Sequence, residues 1–295
     1  MKVLLTGVNG FIGSKLTRKL LDNLGPNNII ALTSKKHSEV KAILYDEFFD
    51  VSSEDELLFS DVEIIVHVGS FTPKDRADSN LIMKCSENII FTSKLLSREF
   101  KNLKKIIYFS TLDVYENYNL YTENTPIKPI SLYGESKYYC EKMIECFCKE
   151  RNVDCNILRV GHVYGPGEEA YKKFLPIAIQ KILLGQEVEL WGDGGDLRSF
   201  IYIDDVVTAC INSMAKPKLP KVINVVSGFS ISMKELLFKI GKLSNRDVKI
   251  KSIETSNAKN DIVFDNRLLK KYLLPTETDF DIGLLKEVEY FKRKL

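Results

Sequence analysis

The sequence predicts an α/β protein built on a Rossmann-type, doubly wound parallel sheet, with a smaller, mixed α/β lobe toward the C-terminus. Three observations predict this class. Short β-branched runs alternate with helical patterns over the first half, a glycine-rich turn follows the first strand, and the alternation loosens after about residue 160. Alternating strands and helices imply a parallel sheet with both faces covered by helices.

The first element, KVLLTG, is short, apolar and β-branched, which is typical of a buried strand. FIGSKLTRKLLDNL follows with apolar residues at helical spacing, and it ends at Gly25 and Pro26. The same reasoning predicts a helix in ENIIFTSKLLSREF and further strands in NNIIALTS, VEIIVHVGS, KKIIYFST and CNILRVGHVYG.

Proline and glycine interrupt the second half, at Pro166, Gly167, Pro176, Gly185 and in GDGGD. FIYIDDVVTACINSM predicts a strand that enters a helix, and MKELLFKIGKL is the one good helix predicted in about the final 65 residues. We therefore assign residues 1–160, rejoined by about 198–226, to a larger domain. Residues 161–197 and 227–295 are assigned to the smaller lobe.

Composition argues against several classes of function. The 295 residues carry 42 basic and 40 acidic side chains, so the near-neutral balance lacks the basic face that nucleic acid requires. No run approaches the ~18 apolar residues of a membrane span, and the N-terminus does not resemble a signal peptide. The six cysteines form no CxxC pair and the three histidines stand far apart, so we expect reduced thiols, no metal and a cytoplasmic protein.

The turn GVNGFIG, residues 7–13, lies between the first strand and the first helix, which is the context of a dinucleotide-binding loop. Gly7 permits a tight turn, Gly10 lets the backbone approach a pyrophosphate, and Gly13 lets helix and strand pack closely. The helix N-terminus offers unpaired N–H groups to the phosphates. Asn9, Phe11 and Ile12 complete the predicted loop, which makes the larger domain a dinucleotide-binding domain.

A second motif, YGESK, places Tyr133 and Lys137 one helical turn apart. Such a pair alone is usually a pair of solvated neighbours. Together with the GxxGxxG spacing, however, it resembles the short-chain dehydrogenase/reductase family. TGVNGFIG, FSTLDVY, PISLYGESKYYCE, RVGHVYGPG and RSFIYIDDVV resemble, in order, the extended, nucleotide-sugar-modifying branch of that family, of NAD-dependent epimerase/dehydratase type. That branch contains epimerases, dehydratases and 4-ketoreductases.

The resemblance implies catalytic roles for three residues. Hydride transfer at a carbonyl carbon needs a proton partner for the oxygen, and Tyr133 supplies a phenol whose unperturbed pKa is about 10. A nearby ammonium, that of Lys137, favours the phenolate and lowers this pKa. By resemblance Lys137 also holds the nicotinamide ribose, and Thr111, rather than Ser110, hydrogen-bonds the substrate oxygen.

Two positions depart from the pattern of the related 4,6-dehydratases, which carry an Asp-Glu pair after the threonine. Leu112 stands at the Asp position and cannot donate a proton, while Asp113 stands at the Glu position. The resemblance therefore argues against a dehydratase. Glu116 replaces a usual glycine, and the sequence offers no account of it.

The end of the second predicted strand bears on the choice of dinucleotide. NAD-selective relatives place a carboxylate there, whereas this chain has Thr33, Ser34 and Lys35, followed by Lys36. Hydroxyls and ammonium groups are suited to a 2′-phosphate, so NADP(H) is the predicted cofactor, with NAD(H) as the alternative. Asp50 and Val51 resemble the pair that meets the adenine.

The second lobe resembles the nucleotide-binding segment of sugar-nucleotide enzymes. By that resemblance Arg198 faces the substrate diphosphate, a role that suits a guanidinium fork, and Leu190 lines the base pocket with Val188. His162 stands where an asparagine is common, and it is either a sugar or phosphate ligand or a packed loop residue. His67 is expected to be structural.

The predicted function is an NADPH-dependent 4-ketoreductase acting on a nucleotide-linked 4-keto-6-deoxy sugar, with Tyr133 as proton donor. The alternative is an NAD-dependent nucleotide-sugar 4-epimerase, since the Thr-Tyr-Lys set serves both. A 4,6-dehydratase and a non-catalytic binding protein are the remaining readings. YYCEKMIECFC carries an apolar stripe that predicts a homodimer, although packing within the monomer explains the same stripe.

Overall fold

A computed structural model describes residues 1–116, 118, 120–255 and 259–295 of the chain. The first half alternates strands and helices, in the order β1 (Val3–Thr6), α1 (Phe11–Leu24), β2 (Ile29–Thr33), β3 (Lys41–Leu44), α2 (Ser53–Glu56), β4 (Ile64–His67), α3 (Ile82–Leu96), β5 (Lys105–Thr111), α4 (Leu132–Arg151) and β6 (Asp154–Val160). Short 3₁₀ turns lie at Pro26–Asn28, Leu57–Asp61, Arg76–Asn80 and Leu112–Val114.

The second half contains shorter strands. Its elements are β7 (His162–Tyr164), α5 (Phe174–Leu183), β8 (Glu187–Trp191), β9 (Leu197–Arg198), β10 (Phe200–Tyr202), α6 (Ile203–Ala215), β11 (Val222–Val225), β12 (Ile231–Ser232), α7 (Met233–Ser244), β13 (Lys249–Ile253), α8 (Arg267–Tyr272) and α9 (Phe280–Lys292). None of these described helices combines the length and apolar character that crossing a membrane requires.

The central sheet has seven strands in the order β11-β6-β5-β4-β1-β2-β3, and every neighbouring pair is parallel. This arrangement confirms the predicted fold class. Strand order reverses between β1 and β4, so the loops that follow these two strands diverge and open a crevice at the carboxyl end of the sheet.

Two hydrophobic clusters cover the two faces of the sheet. On one face α3 and α4 pack together, with Phe91 and Ile144 among the buried residues. On the other face α1 packs against α6, and this second cluster is continuous with the smaller lobe: it contains Val3 of β1 and Phe291 of α9. The two lobes therefore share one core.

In the smaller lobe, β8 and β13 form a parallel pair, β9 and β12 an antiparallel pair, and α5, α7 and α9 pack together. α7 begins with a capping box, in which Ser232 and Glu235 bond each other's backbone N–H groups, and ends at Asn245 in the left-handed conformation. β11 adds to the edge of the main sheet, because the chain returns there through α6.

Two elements differ from the sequence prediction. CNILRVGHVYG predicts a single strand, but the chain divides at Gly161 into β6, in the main sheet, and β7, which pairs with β10. The prediction of one helix in the final segment is wrong, because α9 is a second full helix. Its buried stripe includes Gly283 and Glu287, which interrupt the apolar spacing that the sequence pattern requires.

Candidate active site

The glycine turn between β1 and α1 is packed too tightly for side chains. Gly7 has φ 73°, and a Cβ there would lie 2.7 Å from the backbone nitrogen of Gly69. A Cβ on Gly13 would lie 1.9 Å from the Gly7 carbonyl oxygen, which already accepts from the Gly10 N–H at 2.9 Å. This packing leaves the N-terminus of α1 facing the crevice.

A cavity of about 600 Å³ runs along the carboxyl ends of the central strands. Most residues predicted for the cofactor line it, namely Gly7, Asn9, Gly10, Phe11, Ile12, Gly13, Thr33, Ser34, Lys35, Tyr133 and Lys137. The predicted substrate residues Thr111, Asp113 and His162 line the same wall. The volume, the bare glycine backbone and the helix N-terminus together suit a dinucleotide.

Tyr133 lies in the first turn of α4, which begins where the Ser131 hydroxyl accepts from the Gly134 N–H at 3.1 Å. Its side chain is buried, with Thr72 and Thr111 among the residues around the phenol. Burial and the nearby Asp113 carboxylate raise the pKa of Tyr133, whereas the side chains of Thr72 and Thr111 oppose that rise. The role that the sequence assigns to Lys137, lowering this pKa, stays a prediction.

Lys137 is buried one turn further along α4. Its ammonium donates to the Phe109 carbonyl at 2.6 Å and to the Ser70 hydroxyl at 3.2 Å, and it lies 4.4 Å from the centre of the Tyr108 ring. Burial lowers the pKa of Lys137 to about 8, and Glu141 opposes that fall. At neutral pH the ammonium form therefore dominates, held between β5 and the loop after β4.

His67 organises that loop, as expected for a structural residue. Thr92 donates its hydroxyl proton to the Asn88 carbonyl at 2.8 Å, so it accepts from His67 Nε2 at 3.0 Å. His67 Nδ1 then accepts from the Thr6 hydroxyl at 2.8 Å, and Thr6 Oγ1 accepts from the Gly69 N–H at 2.8 Å. This series of hydrogen bonds requires a neutral imidazole, which agrees with a pKa of His67 that burial lowers to about 3.

A buried ion pair joins α4 to β6 beside the site. Glu141 is fully buried on α4 and accepts from Arg159 of β6 through both oxygens, at 3.0 and 2.7 Å. The Ser110 hydroxyl donates to the same carboxylate at 2.5 Å, which turns Ser110 toward Glu141 and leaves Thr111 to contact the Tyr133 phenol. Arg159 also donates to the Tyr115 hydroxyl at 2.9 Å.

The far end of the cavity lies beside β2. Asn9 donates to the Thr33 hydroxyl at 3.2 Å, and Ser34 and Lys35 follow at the surface. Tyr45 and Glu87 line the cavity as well, and burial, together with the charge of Glu87, raises the pKa of the Tyr45 phenol. A carboxylate is thus present here, contributed by α3. The sequence pattern at the end of β2 cannot reveal it.

Asp50 and Val51, predicted to meet the adenine, are not among the described residues that line this cavity. The Asp50 carboxylate pairs with Lys94 at 2.7 Å on the surface of α3 and lies 3.7 Å from Arg98. Val51 forms an isolated bridge with Tyr45. The cavity wall beside them is formed by aromatic side chains, those of Tyr45, Phe49 and Phe91.

The 3₁₀ turn after β5 carries the residues that depart from the dehydratase pattern. Leu112 and Asp113 both line the cavity, and the surrounding protein raises the pKa of the Asp113 carboxyl. Leu112 offers no proton at the position of the dehydratase acid. Glu116 forms an ion pair with Lys128 at the surface, which accounts for a charged residue at that position.

A second cavity, of about 220 Å³, adjoins the first on the side of the smaller lobe. The two share His162, Val163 and Lys173, and the second also contains Arg198. The protein around His162, together with the charges of Lys173 and Arg198, keeps the pKa of the imidazole below its usual value. Lys173 was not predicted as a site residue, because no sequence motif marks it.

Two predicted substrate residues are placed differently from His162. Arg198 lines the second cavity, but its guanidinium donates to the carbonyls of Leu197 and Asn260, at 2.8 and 2.5 Å, and lies 3.4 Å from the Asp196 carboxylate. Leu190 is buried in the shared core, where a Cβ on Gly194 would collide with it. The structure thus brings Arg198 to the cavity and leaves Leu190 behind it.

The comparisons with known proteins agree with this geometry. The model of the NAD dependent epimerase/dehydratase family matches residues 3–226. A putative UDP-glucose 4-epimerase of Methanocaldococcus jannaschii is 30% identical over 246 residues, which cover 79% of this chain and 79% of that protein.

Two solved structures share the fold over the whole chain. UDP-N-acetylglucosamine 4-epimerase from Methanobrevibacter ruminantium M1, in complex with UDP-N-acetylmuramic acid, is 27% identical with a TM-score of 0.84, and the match covers 100% of this chain and 99% of that chain. UDP-glucuronic acid 4-epimerase from Bacillus cereus, in complex with NAD, also has a TM-score of 0.84, with the same coverage. At 23% identity the second match shows the fold alone.

Proposed function

Since the chain belongs to the NAD-dependent epimerase/dehydratase family, we propose that it is a nucleotide-sugar 4-epimerase that retains NAD. One observation carries the proposal. Tyr133, Thr111 and Thr72 line the dinucleotide cavity, which shares His162, Val163 and Lys173 with the second, cation-bearing cavity. In the proposed complex a sugar hydroxyl meets Tyr133 in the first cavity, while its nucleotide extends into the second.

A bound NAD supplies a hydride acceptor that can also return the hydride. The residues of this chain handle the proton. As a phenolate, which Thr111 and Thr72 favour against the effect of burial, Tyr133 accepts the proton of the sugar 4-hydroxyl and later gives it back. Lys137 contributes a fixed positive charge beneath the site, and Leu112 leaves the neighbouring sugar carbon without an acid. The set therefore supports redox chemistry at one carbon and not an elimination.

The epimerase replaces the 4-ketoreductase as the leading function for two reasons. The relatives and neighbours above are UDP-sugar 4-epimerases by name. In addition, the Glu87 carboxylate, which pairs with Lys84 at 2.8 Å, lines the cavity and weakens the argument for NADP(H) from Thr33 and Lys35. The reductase remains the second candidate, because Lys35 forms no ion pair among the described residues and is free to bind a 2′-phosphate.

The test is to denature purified protein, identify any released dinucleotide, and then assay C4 inversion of UDP-glucose and UDP-N-acetylglucosamine without added cofactor. Stoichiometric NAD with inversion supports the epimerase. An empty protein that binds NADPH far more tightly than NADH, and inverts neither sugar, supports the reductase instead. Tyr133→Phe should lower turnover by about 10²- to 10⁴-fold and leave dinucleotide content unchanged. Tyr139→Phe, on the exposed side of the same helix, is the matched control.

A homodimer through α3 and α4 is part of the proposal. Large apolar side chains are exposed on or beside these helices, including Met83 of α3 at 77%, Ile130 just before α4 at 71% and Tyr139 within α4 at 56%. Exposed apolar groups concentrated on one surface are typical of an interface. Met83→Glu together with Tyr139→Glu should convert a dimer to a monomer in light scattering. A wild-type protein that is monomeric at all concentrations would contradict the dimer.

A further inference from the structure

Two glutamates outside the catalytic set are completely buried. Glu168 follows β7, and Glu287 lies in the middle of α9. Both side chains have 0% exposure, and their carboxyl groups lie side by side. Buried carboxyl groups are costly unless they are paired, so the pair requires an explanation.

The oxygen atoms show what the pair lacks. Oε1 of Glu168 and both oxygens of Glu287 have no hydrogen-bond donor among the described residues. Two ionised carboxylates only accept, so neither can satisfy the other unless one of them carries a proton. Burial and, for Glu287, repulsion from Glu168 raise the pKa of both groups, which favours a state with one shared proton and one negative charge.

That remaining charge is matched by Lys173. Its ammonium donates to Glu168 Oε2 at 3.3 Å and to the Val163 carbonyl at 3.0 Å. An ammonium has three N–H groups, so these two bonds leave one donor, on an ammonium that also lies 5.0 Å from the centre of the Tyr171 ring. The Lys173 side chain keeps 37% of its surface exposed, and Lys173 lines both cavities. Arg198, which lines the second cavity, is already engaged by Asp196 and two carbonyls.

We propose that Glu287 and Glu168 share one proton and thereby position Lys173, whose free N–H binds the anionic group of the substrate. This inference rests on the proposed function, because it assigns the anion to a nucleotide sugar. The anion is a phosphate of the nucleotide or a carboxylate on the sugar, two groups that an ammonium recognises in the same way. Glu287 and Glu168 are positioning residues, since they act through Lys173.

Binding measurements by calorimetry test the inference, with uridine, UDP, UDP-glucose and UDP-glucuronic acid as probes, and with NADH on protein stripped of its resident dinucleotide. Lys173→Met should weaken UDP binding by about 10- to 100-fold, the usual loss for a hydrogen bond to a charged group. Uridine and NADH binding should not change. A loss confined to UDP-glucuronic acid, relative to UDP-glucose, would place the ammonium on a sugar carboxylate.

The glutamates are tested by two replacements of similar size. Glu287→Gln still offers Glu168 an N–H donor and should keep UDP affinity within about twofold. Glu287→Met offers none, so Glu168 takes up a proton of its own, Lys173 loses its counter-charge, and affinity should fall severalfold. In the Lys173→Met background the Gln and Met variants should bind alike. If Glu287 contributes to packing alone, the Gln and Met variants should bind UDP with the same affinity in both backgrounds.

The outcomes separate the two proposals. If wild type binds UDP and Lys173→Met binds every anionic probe equally well, or loses NADH instead, the inference is overturned and the proposed function stands. If Glu287→Met matches Glu287→Gln with Lys173 present, the positioning role is overturned. If wild type binds none of the uridine nucleotides, the proposed function fails and the inference fails with it.

Discussion

Replacing Arg159 by methionine should strongly destabilise the protein, because it leaves the buried Glu141 carboxylate without its cationic partner. Glu141 is fully buried, and among the described residues Arg159 supplies two of its three donors, at 3.0 and 2.7 Å, so the variant leaves Ser110 alone of that set. Removing one partner of a buried ion pair costs about 3–5 kcal/mol. At about 2–4 °C per kcal/mol, the melting temperature should fall by about 6–20 °C.

Urea titration followed by far-UV circular dichroism measures this change. Lys142→Met is the matched control, since Lys142 pairs with Glu145 on the exposed side of the same helix, where such pairs contribute below about 1 kcal/mol. The double variant Glu141→Met, Arg159→Met should recover most of the lost stability, because no charge is then left buried. A single variant within about 1 kcal/mol of wild type, or a double variant no better than the single, would refute the reasoning.

Two further predictions concern Gly13 and His67, which are both closely packed. Gly13→Ala should abolish dinucleotide binding in a fluorescence titration, because the new Cβ would lie 1.9 Å from the Gly7 oxygen, whereas Ser14→Ala on the exposed face should bind normally. His67 has a folded-state pKa of about 3 against about 6.5 when unfolded, so its contribution to stability is present above pH 6.5 and is lost as pH falls toward 3. Between pH 7 and pH 5 wild type should lose about 2 kcal/mol that His67→Gln does not lose, and an equal loss in both would contradict a neutral buried imidazole.

Residues whose roles depend on local spacing could be predicted from the sequence. The glycine turn and the pair Tyr133 and Lys137 each lie within one turn of chain, so their relative placement follows from the helix or turn that contains them. Thr111 belongs to the same group, because it ends a strand that the pattern identifies. The strand order of the sheet then brings these segments to one edge.

Residues placed by tertiary packing could not be found in this way. Thr72 and Glu87 reach the cavity from a loop and from α3, and Lys173 donates to Glu168, which follows β7. Asp50 illustrates the reverse case, since its carboxylate pairs at the surface with Lys94 of α3 and lies 3.7 Å from Arg98, which follows that helix. None of these distant partners has a signature in the neighbouring sequence.

The shared core also determines how the cleft can open. One hydrophobic cluster extends from Val3 in the central strand to Phe291 in the last helix, so a hinge rotation of one lobe away from the other would expose packed apolar surface. The segment between β7 and α5 carries Glu168 and Lys173 and faces both cavities. Any opening between the lobes must therefore either expose part of this cluster or leave the shared core in place and change the connection alone, residues 165–173.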